Sequence, residues 1–438
     1  MASEPDASNA ALAPPPRAGA AGRLRVAIVG AGPAGLAAAE ALAPHVDVDI
    51  FERLPAPGRK FLLAGKSGLN LTHAEPWSTF VTRYGEAAPH LASALDACRA
   101  EDLQAWSRHL GVDTFVGSSG RIFPTMMKAS PLLRSWLRSL ASAGVRLHTR
   151  HRFVGWNADG DLQFSTPDGD VLHRPDATVL ALGGASWPRL GSDGAWVPVL
   201  QEAKIACAPL TASNCGVEIG WPPEFSARYA GTPLRSIRLA CADHTARGDV
   251  MITAYGLEGS PVYTIGPGVR ARLARGEPAI LHIDLAPDRS LSDLAARLGR
   301  TRGRASLANH LRKSTGLAVE KLTLLRTALD QLPVRDETTI ARLIKDLPLE
   351  IHSLRPIAEA ISSAGGVCFE ELDAQYMVKR RPGLFIAGEM LDWDAPTGGY
   401  LLTACFATGQ AAARGALAWL GVPESKLKTA DPPPARPT

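Results

Sequence analysis

The sequence is poor in cysteine, and its cysteines are not arranged as ligands. Six are present among 438 residues, and no pair has the close spacing of zinc sites or redox-active dithiols. Histidines at ligand spacing from these cysteines are also missing. We therefore expect no metal site and no dithiol chemistry.

A large excess of charge of one sign is missing too. The 47 Lys and Arg residues and the 43 Asp and Glu residues leave a formal net charge of only +4. So small a surplus over a chain of this length does not form the basic footprint of a nucleic-acid-binding domain. We expect a small-molecule substrate and no nucleic-acid partner, and the sequence predicts no particular oligomeric state.

The sequence also lacks a long, uncharged apolar run of the kind that crosses a membrane. The longest, Val26 to Ala43, contains Pro33 and Glu40 and reaches only the lower length limit of a membrane span. Residues 1–22 lack the cationic start of a secretory signal. Because residues 1–22 and 421–438 are rich in Pro and Ala, we expect both to be disordered tails. We also expect no membrane partner and a cytoplasmic location.

A βαβ unit follows the first tail. The run Leu24 to Val29 predicts a buried strand, Ala34 to Ala43 a helix, and Val46 to Phe51 a second strand. Between the first strand and the helix, Gly30 to Gly35 read GxGxxG. These glycines permit a tight turn, close approach of the backbone to a pyrophosphate, and close packing of helix on strand. The unit predicts a parallel sheet flanked by helices, with a dinucleotide at the helix N-terminus.

An acidic residue stands where such a unit needs one. Glu52 follows the second strand, 22 positions after Gly30. A carboxylate there can accept hydrogen bonds from the hydroxyl groups of the adenosine ribose. The agreement of strand, glycine turn, helix, second strand and acid argues against a turn that binds no ligand.

The distal end of the chain distinguishes a flavin from a nicotinamide cofactor. Leu384 to Ala387 predicts a strand that ends at Gly388 and Glu389, and Gly399 opens an Ala-rich helix. A carboxylate at such a strand end can hold ribityl hydroxyls, and the helix N-terminus can stabilise negative charge on a reduced flavin. We therefore predict FAD as the cofactor.

The region between these motifs predicts an inserted domain. Residues 205–285 contain short strand-like pieces, and residues 290–347 have helical spacing. We predict an α/β protein whose Rossmann-like FAD-binding domain, residues 23–200 and 350–420, is interrupted at residues 201–349 by a domain of strands followed by helices.

Several segments together resemble a known family, the bacterial flavoproteins of the YhiN/BaiN type, which are NAD(P)/FAD-dependent, aminoacetone-oxidase-like oxidoreductases. The segments are VAIVGAGPAGLAAA, GRKFLLAGKSGLNLTH, LALGGASWPRLGSDG, GDVMITAYGLEGSP and GLFIAGEMLDWDAPTGGY. Where many members read GGGRCN, residues 65–70 read GKSGLN, which marks a GKSGLNLTH subgroup. The resemblance implies FAD held by the first and last segments, and no agreed substrate.

These motifs predict a set of cofactor-binding residues and two candidate catalytic side chains. The cofactor residues are Gly30, Gly32, Pro33, Ala34, Gly35, Glu52, Arg53, Arg59, Lys60, Asn70, Gly183, Gly388, Glu389, Gly399 and Tyr400. Lys66 can approach the flavin or a substrate carboxylate, and it can instead bind phosphate. Tyr255 can donate a proton to a substrate, and it can instead be a half-buried strand aromatic.

Two weaker patterns have more than one interpretation. Gly266 to Ala271 follow the strand-like run Val262 to Ile265 and resemble a second dinucleotide fingerprint for NAD(P)H. The interval to Asp284 is short for a βαβ unit, which argues against that interpretation. The basic stretch Arg297 to Lys313 can bind a 2′-phosphate or an acidic substrate, or it can be a solvated helix face.

The combined prediction is an FAD-dependent oxidoreductase. It transfers a hydride between flavin N5 and a small organic substrate, with NAD(P)H as a transient electron donor. Two alternatives stay open, an amine or hydroxy-compound oxidase that uses oxygen and a flavin-binding regulatory protein without turnover.

Overall fold

The structure is a computed structural model that describes residues 23–333 and 336–423, so the predicted tails lie outside the described residues apart from residues 421–423. Within these ranges the strands, β1 to β20 in chain order, span Arg25–Val29, Asp47–Glu52, Thr72–His73, Thr114–Val116, Arg121–Pro124, Arg146–Thr149, Arg152–Trp156, Leu162–Thr166, Gly169–His173, Ala177–Leu180, Cys207–Ser213, Val217–Glu218, Pro233–Cys241, His244–Ile252, Gly256–Glu258, Ala279–Asp284, Leu347–Ile351, Ser353–Leu354, Ser362–Val367 and Leu384–Ile386. The helices, α1 to α14, span Pro33–Leu42, Arg59–Ala64, Trp77–Thr82, Ala88–Asp96, Ala100–His109, Ala129–Ser142, Trp196–Glu202, Pro223–Tyr229, Ser260–Ala274, Leu291–Leu298, Leu307–Thr315, Val319–Leu329, Glu337–Lys345 and Tyr400–Trp419.

The contacts divide the chain into two compact units. Unit 1 comprises the residues up to Leu210 and those from Ala364 onward, and unit 2 comprises Thr211–Ser363. The sequence pattern placed the corresponding boundaries at residues 201 and 350. In both divisions the unit that carries the GxGxxG motif is built from the two ends of the chain.

Unit 1 contains a five-stranded parallel sheet in the order β20-β10-β1-β2-β6. Strands β10 and β20 are buried along their whole length. Such burial is typical of parallel sheets, because helices cover both faces of the sheet. The βαβ unit and the late strand thus meet in one sheet, although about 355 positions separate the end of β1 from the start of β20 in the sequence. This confirms the predicted α/β class with a Rossmann-like sheet.

The two helices α1 and α14 pack closely against each other in unit 1. Helix α1 begins with Pro33, whose missing N–H costs nothing at a helix start, and continues in alanines. On α14, a Cβ at Gly409 would lie 2.2 Å from the carbonyl oxygen of Ala34. The small residues therefore allow the backbones of the two helices to approach closely, next to the start of α1.

Smaller antiparallel sheets complete unit 1. Strands β3, β5 and β4 form one of them, and β7, β8 and β9 form another. The loop from Gly65 to Asn70 leads from α2 to β3. Helices α4 and α5 follow each other with a break at residues 97–99.

Unit 2 is built around a seven-stranded sheet in the order β17-β16-β13-β14-β15-β12-β18. Its paired strands are antiparallel. Helices α10 to α13 follow β16 in succession, and the chain then returns to the sheet as β17 and β18. Leu239, Leu281 and Ile283 on the sheet and Leu325 on α12 belong to its buried core.

The predicted strand at Val262 to Ile265 is wrong, because these residues lie in helix α9. Val262, Ile265 and Val269 are buried at helical spacing, a period that the neighbouring glycines and proline obscured. Pro267 lies inside the helix, and a Cβ at Gly268 would be 2.8 Å from the carbonyl oxygen of Cys241. The Gly266 to Ala271 segment is therefore a tightly packed helix and not a strand-to-helix turn for a second dinucleotide.

In the described part of the chain, no helix has both the length and the apolar character needed to cross a membrane.

Candidate dinucleotide site

A groove with a volume of about 330 Å³ lies in unit 1, at the carboxyl ends of β1, β2, β10 and β20. In open parallel sheets this edge is where ligands bind. The groove is lined by most of the residues that the sequence predicted for the cofactor, namely Gly30, Gly32, Pro33, Ala34, Glu52, Arg53, Arg59, Lys60, Gly183, Gly388 and Glu389.

The glycines of the GxGxxG loop have three different surroundings. Gly30 has φ +108°, and a Cβ there would lie 2.3 Å from the carbonyl oxygen of Ala181. A Cβ at Gly35 would lie 1.9 Å from the carbonyl oxygen of Gly30. A Cβ at Gly32, in contrast, would meet no atom within 4 Å. Gly30 and Gly35 are therefore required by the fold, whereas Gly32 leaves open space at the groove.

The start of helix α1 offers backbone donors to this space. Gly32 is the N-cap, and no side chain caps the helix there. The amides of the first helical turn lack acceptors within the helix, and the helix dipole adds partial positive charge. The open position at Gly32 and these amides form a cradle suited to a diphosphate.

Glu52 is fixed at the end of β2 by backbone amides. Its Oε2 accepts a hydrogen bond from the Ala31 amide at 3.1 Å, and its Oε1 accepts one from the Leu54 amide at 2.8 Å. Burial raises the pKa of Glu52, and these backbone hydrogen bonds oppose the increase. The carboxylate therefore has a fixed orientation beside the glycine loop.

The two ends of the chain meet at Lys60 and Glu389. Lys60 Nζ lies 2.7 Å from Glu389 Oε2 and donates a hydrogen bond to Ser186 Oγ at 2.6 Å. Next to Glu389, Gly388 has φ +75°, and a Cβ there would lie 2.7 Å from the Ala34 Cβ. The turn after β20 is thus pressed against the start of α1, which brings the last predicted motif to the first.

Six predicted residues are not part of the groove lining, and two of them contact each other. These residues are Gly35, Lys66, Asn70, Tyr255, Gly399 and Tyr400. The Asn70 side chain donates to the Thr72 carbonyl at 3.1 Å and accepts from the Gly399 amide at 3.3 Å. Asn70 therefore holds the N-terminus of α14 beside the loop that precedes β3.

The Tyr400 side chain is engaged within unit 1. Its hydroxyl donates to Glu75 Oε1 at 2.6 Å, and its ring stacks on His73 with centroids 5.4 Å apart. Glu75 also pairs with Arg83 at 2.6 Å. Burial, followed by the hydrogen bond to Glu75, raises the pKa of Tyr400. The Tyr400 ring thus contributes to the packing that supports the start of α14.

The two candidate catalytic side chains have different surroundings. Lys66 is exposed on the loop between α2 and β3. Tyr255 belongs to unit 2, where its hydroxyl donates to Glu258 Oε2 at 2.6 Å. The guanidinium of Arg355 lies 4.2 Å from the Tyr255 ring centroid. Burial and the hydrogen bond to Glu258 raise the pKa of Tyr255 to about 12.

The basic stretch Arg297 to Lys313 lies in unit 2 and forms few ion pairs among the described residues. Arg297 pairs with Asp293 at 2.8 Å, four positions away on α10. Arg300, Arg302 and Arg304 are exposed in the connection between α10 and α11. This arrangement agrees with a largely solvated surface.

Several groove residues were missed by the sequence analysis. They are His151 to Val154 on and beside β7, Leu190 to Asp193, Trp196 and Cys405. The motif LALGGASWPRLGSDG contains Leu190 to Asp193 as well as Gly183, so it is the sequence signal for this part of the lining. Burial raises the pKa of Cys405 to about 12, so this groove residue is a neutral thiol.

A family model described as HI0933-like protein Rossmann domain matches residues 24–415. A curated relative, the 3-dehydro-bile acid delta(4,6)-reductase of Clostridium scindens, is 25% identical over 408 residues, which are 90% of this chain and 98% of the relative. Another, the ribosomal RNA dihydrouridine synthase of Escherichia coli, is 25% identical over 390 residues, 86% of this chain and 94% of the relative.

The solved structures found by comparison are less similar in sequence than these two relatives. An open conformation of a flavocytochrome c3 fumarate reductase has a TM-score of 0.48 and 16% identity, covering 92% of this chain and 79% of that one. A 3-ketosteroid-delta4-(5alpha)-dehydrogenase from Rhodococcus jostii has a TM-score of 0.45 and 16% identity, covering 90% of this chain and 97% of that one.

The family match confirms the predicted resemblance, since it spans nearly the whole chain between the two tails. On this match the chain belongs to the HI0933-like Rossmann-domain family and is a flavin-dependent oxidoreductase.

Proposed function

We propose that the groove of unit 1 binds FAD and that the chain uses it to reduce a small organic substrate, with NAD(P)H as a transient electron donor. The observation that carries the proposal is the meeting of Glu52 and the GxGxxG loop with Gly388 and Glu389 in one groove. Bound FAD supplies hydride transfer at flavin N5, which no side chain of the protein can perform.

The residues of the groove fit the parts of an FAD molecule. The open space at Gly32 and the amides of α1 suit the diphosphate, and Arg59 and Lys60 add positive charge beside it. Glu52 suits the hydroxyl groups of the adenosine ribose, and Glu389 those of the ribityl chain. The protein thus contributes the binding and orientation of the dinucleotide.

The substrate class follows from the two curated relatives. By their names, one is a delta(4,6)-reductase of a 3-dehydro-bile acid and the other forms dihydrouridine. Both names describe saturation of a ring double bond in a molecule that carries a carbonyl group. We therefore propose a ring double bond conjugated to a carbonyl as the group that this chain reduces.

Such a reduction needs a proton as well as a hydride. Tyr255 suits the donor role because its phenol keeps its proton over the whole neutral range, with a pKa of about 12. In the structure the single O–H proton of Tyr255 is donated to Glu258, so the hydroxyl must turn from Glu258 toward the substrate before it donates that proton. Lys66, exposed on its loop, suits electrostatic attraction of an anionic substrate group.

Anaerobic rapid mixing of the purified holoprotein tests this function. We expect NADH or NADPH to bleach the flavin absorbance, and a panel of cyclic conjugated ketones and uracil compounds to restore it. Bleaching by amines or hydroxy compounds, with reoxidation only by oxygen, would show an oxidase instead. A flavin that no donor in the panel reduces would identify a binding protein without turnover.

A further inference from the structure

One wall of the groove is formed by a segment whose contacts the proposed function does not explain. We name Ser186–Asp193 the groove strap. It lies between β10 and α7 and contains a short 3₁₀ turn, Pro188–Leu190. Leu190 to Asp193 line the groove together with the motifs already described.

Both ends of the groove strap are attached to cations that themselves line the groove. At one end, Lys60 donates to Ser186 Oγ at 2.6 Å. At the other end, Arg53 Nη1 lies 2.5 Å from Asp193 Oδ2, and Arg53 Nη2 donates to the Pro188 carbonyl at 3.0 Å. Arg53 and Asp193 side chains are 23% and 29% exposed, so water can reach this ion pair.

Glycines let the groove strap fold back over the end of β10. Gly191 has φ +103° and packs on Leu54, whose Cδ1 would be 3.2 Å from a Cβ at Gly191. Gly183 has φ +72°, and a Cβ there would lie 3.3 Å from Ser192 Oγ. The Ser192 hydroxyl is therefore held beside the backbone that follows β10, at the groove.

Two polar atoms of this wall are buried without a partner among the described residues. They are Ser192 Oγ and Arg53 Nε. Ser192 as a whole is only 5% exposed. A buried polar group without a hydrogen bond costs stability, so such groups in native proteins normally have a partner such as a ligand. Because both residues line the groove, a ligand there can satisfy them.

We propose that the groove strap is a further part of the cofactor site. This proposal rests on the proposed function, because the ligand that the strap contacts is FAD. Ser192 Oγ donates a hydrogen bond to a hydroxyl or phosphate oxygen of the dinucleotide. The ion pair between Arg53 and Asp193 holds the strap over the bound dinucleotide and slows its release. The strap then sets the residence time of the cofactor and does not take part in hydride transfer.

Release of FAD from the holoprotein, followed by the increase in flavin fluorescence after dilution, tests the role of Ser192. We expect Ser192→Ala to release FAD about fivefold faster, as the loss of one hydrogen bond predicts. Ser135→Ala is the matched control, because Ser135 on α6 is not among the residues that line the groove. Equal release rates for wild type and Ser192→Ala would overturn the role of Ser192.

The ion pair is tested with Asp193→Asn. We expect about tenfold faster release at low salt, and a smaller difference at high salt because salt screens the wild-type pair. The double variant with Arg53→Met should release FAD no faster than Arg53→Met alone, since the two residues act as a pair. Asp161→Asn removes a comparable partner of Arg174 outside the groove and should not change release. Additive effects of the two changes would overturn the pairing.

Thermal unfolding of the flavin-free variants separates cofactor retention from a purely structural role. We expect their Tm to stay close to wild type, while the increase in Tm on adding FAD becomes smaller. A large loss of Tm without FAD would identify the strap as structural only and would overturn the proposal. If the wild-type protein binds no FAD, both the proposed function and the strap proposal fail. If the wild-type protein binds FAD and the variants release it at the wild-type rate, only the strap proposal fails.

Discussion

At the scale of single residues, Gly30 and Gly32 differ in what a methyl group would meet. Gly32→Ala should change the unfolding free energy of the flavin-free protein by less than about 1 kcal/mol, because its φ is −85° and the added atom enters open space. FAD affinity should nevertheless fall about tenfold or more, because the methyl group occupies the cradle.

Gly30→Ala provides the contrast. Its φ of +108° and the contact at 2.3 Å with the Ala181 carbonyl should destabilise even the flavin-free protein by about 1–3 kcal/mol. Urea unfolding and FAD titration of the two variants measure both effects. Equal losses of stability in the two variants would contradict the different roles assigned to these glycines.

Asp49 makes the stability of unit 1 depend on acid pH. Although burial raises its pKa, hydrogen bonds from Arg146 and His148 lower it to about 2, compared with its ordinary value of 3.8. Because the folded-state pKa is the lower one, the contribution of Asp49 is complete above 3.8 and is lost as the pH falls toward 2.

The difference in unfolding free energy between wild type and Asp49→Asn should therefore shrink by about 2 kcal/mol between pH 5 and pH 2. Denaturant unfolding at several pH values measures it. Asp168→Asn, which removes an exposed carboxylate without an ion pair among the described residues, is the control. A difference that does not change with pH would refute the assignment.

The proposed proton donor can be separated from the cofactor site by kinetics. Tyr255→Phe should leave flavin reduction by NAD(P)H unchanged and slow substrate reduction about 100-fold, the usual contribution of general acid catalysis. Tyr263→Phe, on α9 of the same unit, should change neither half-reaction. Rapid mixing resolves the two half-reactions, and a Tyr255→Phe enzyme with normal substrate reduction would exclude this residue as the donor.

At the scale of elements, the contact between α1 and α14 depends on a missing side chain. Gly409→Ala places a methyl group 2.2 Å from the Ala34 carbonyl oxygen and should cost about 1–3 kcal/mol of unfolding free energy. It should also weaken FAD binding, because α1 carries the amides of the cradle. Gln410→Ala, one position along the same helix and half-buried, should change FAD affinity little. Denaturant unfolding and FAD titration test both expectations.

Elements with one dominant pattern were predictable, and elements with conflicting patterns were not. The β1, α1 and β2 segments combine an apolar strand, a glycine turn and alanines, and each lies within about one residue of its predicted bounds. Helix α9 was mistaken for a strand because Gly266, Pro267 and Gly268 disfavour a helix. Burial of Val262, Ile265 and Val269 against the sheet of unit 2 outweighs that local preference.

At the scale of the whole molecule, the cofactor site depends on both ends of the chain. Glu52→Gln and Glu389→Gln should each weaken FAD binding about tenfold, and the double variant about 100-fold, because each carboxylate holds a different part of the dinucleotide. Equilibrium titration of flavin-depleted protein with FAD measures these effects. A double variant that binds FAD as tightly as wild type would contradict the proposed site.

The sequence by itself determined the class of the protein and the motifs of its site. GxGxxG, Glu52 and Gly388 with Glu389 are local patterns, and the chemistry of a diphosphate and of ribose hydroxyls restricts which residues can stand there. Only the tertiary structure decided that Lys60 pairs with Glu389, that Arg53 binds the strap through Asp193, and that Tyr400 faces Glu75. These contacts join residues far apart in the chain, and their partners are selected by packing in three dimensions, which no local sequence pattern records.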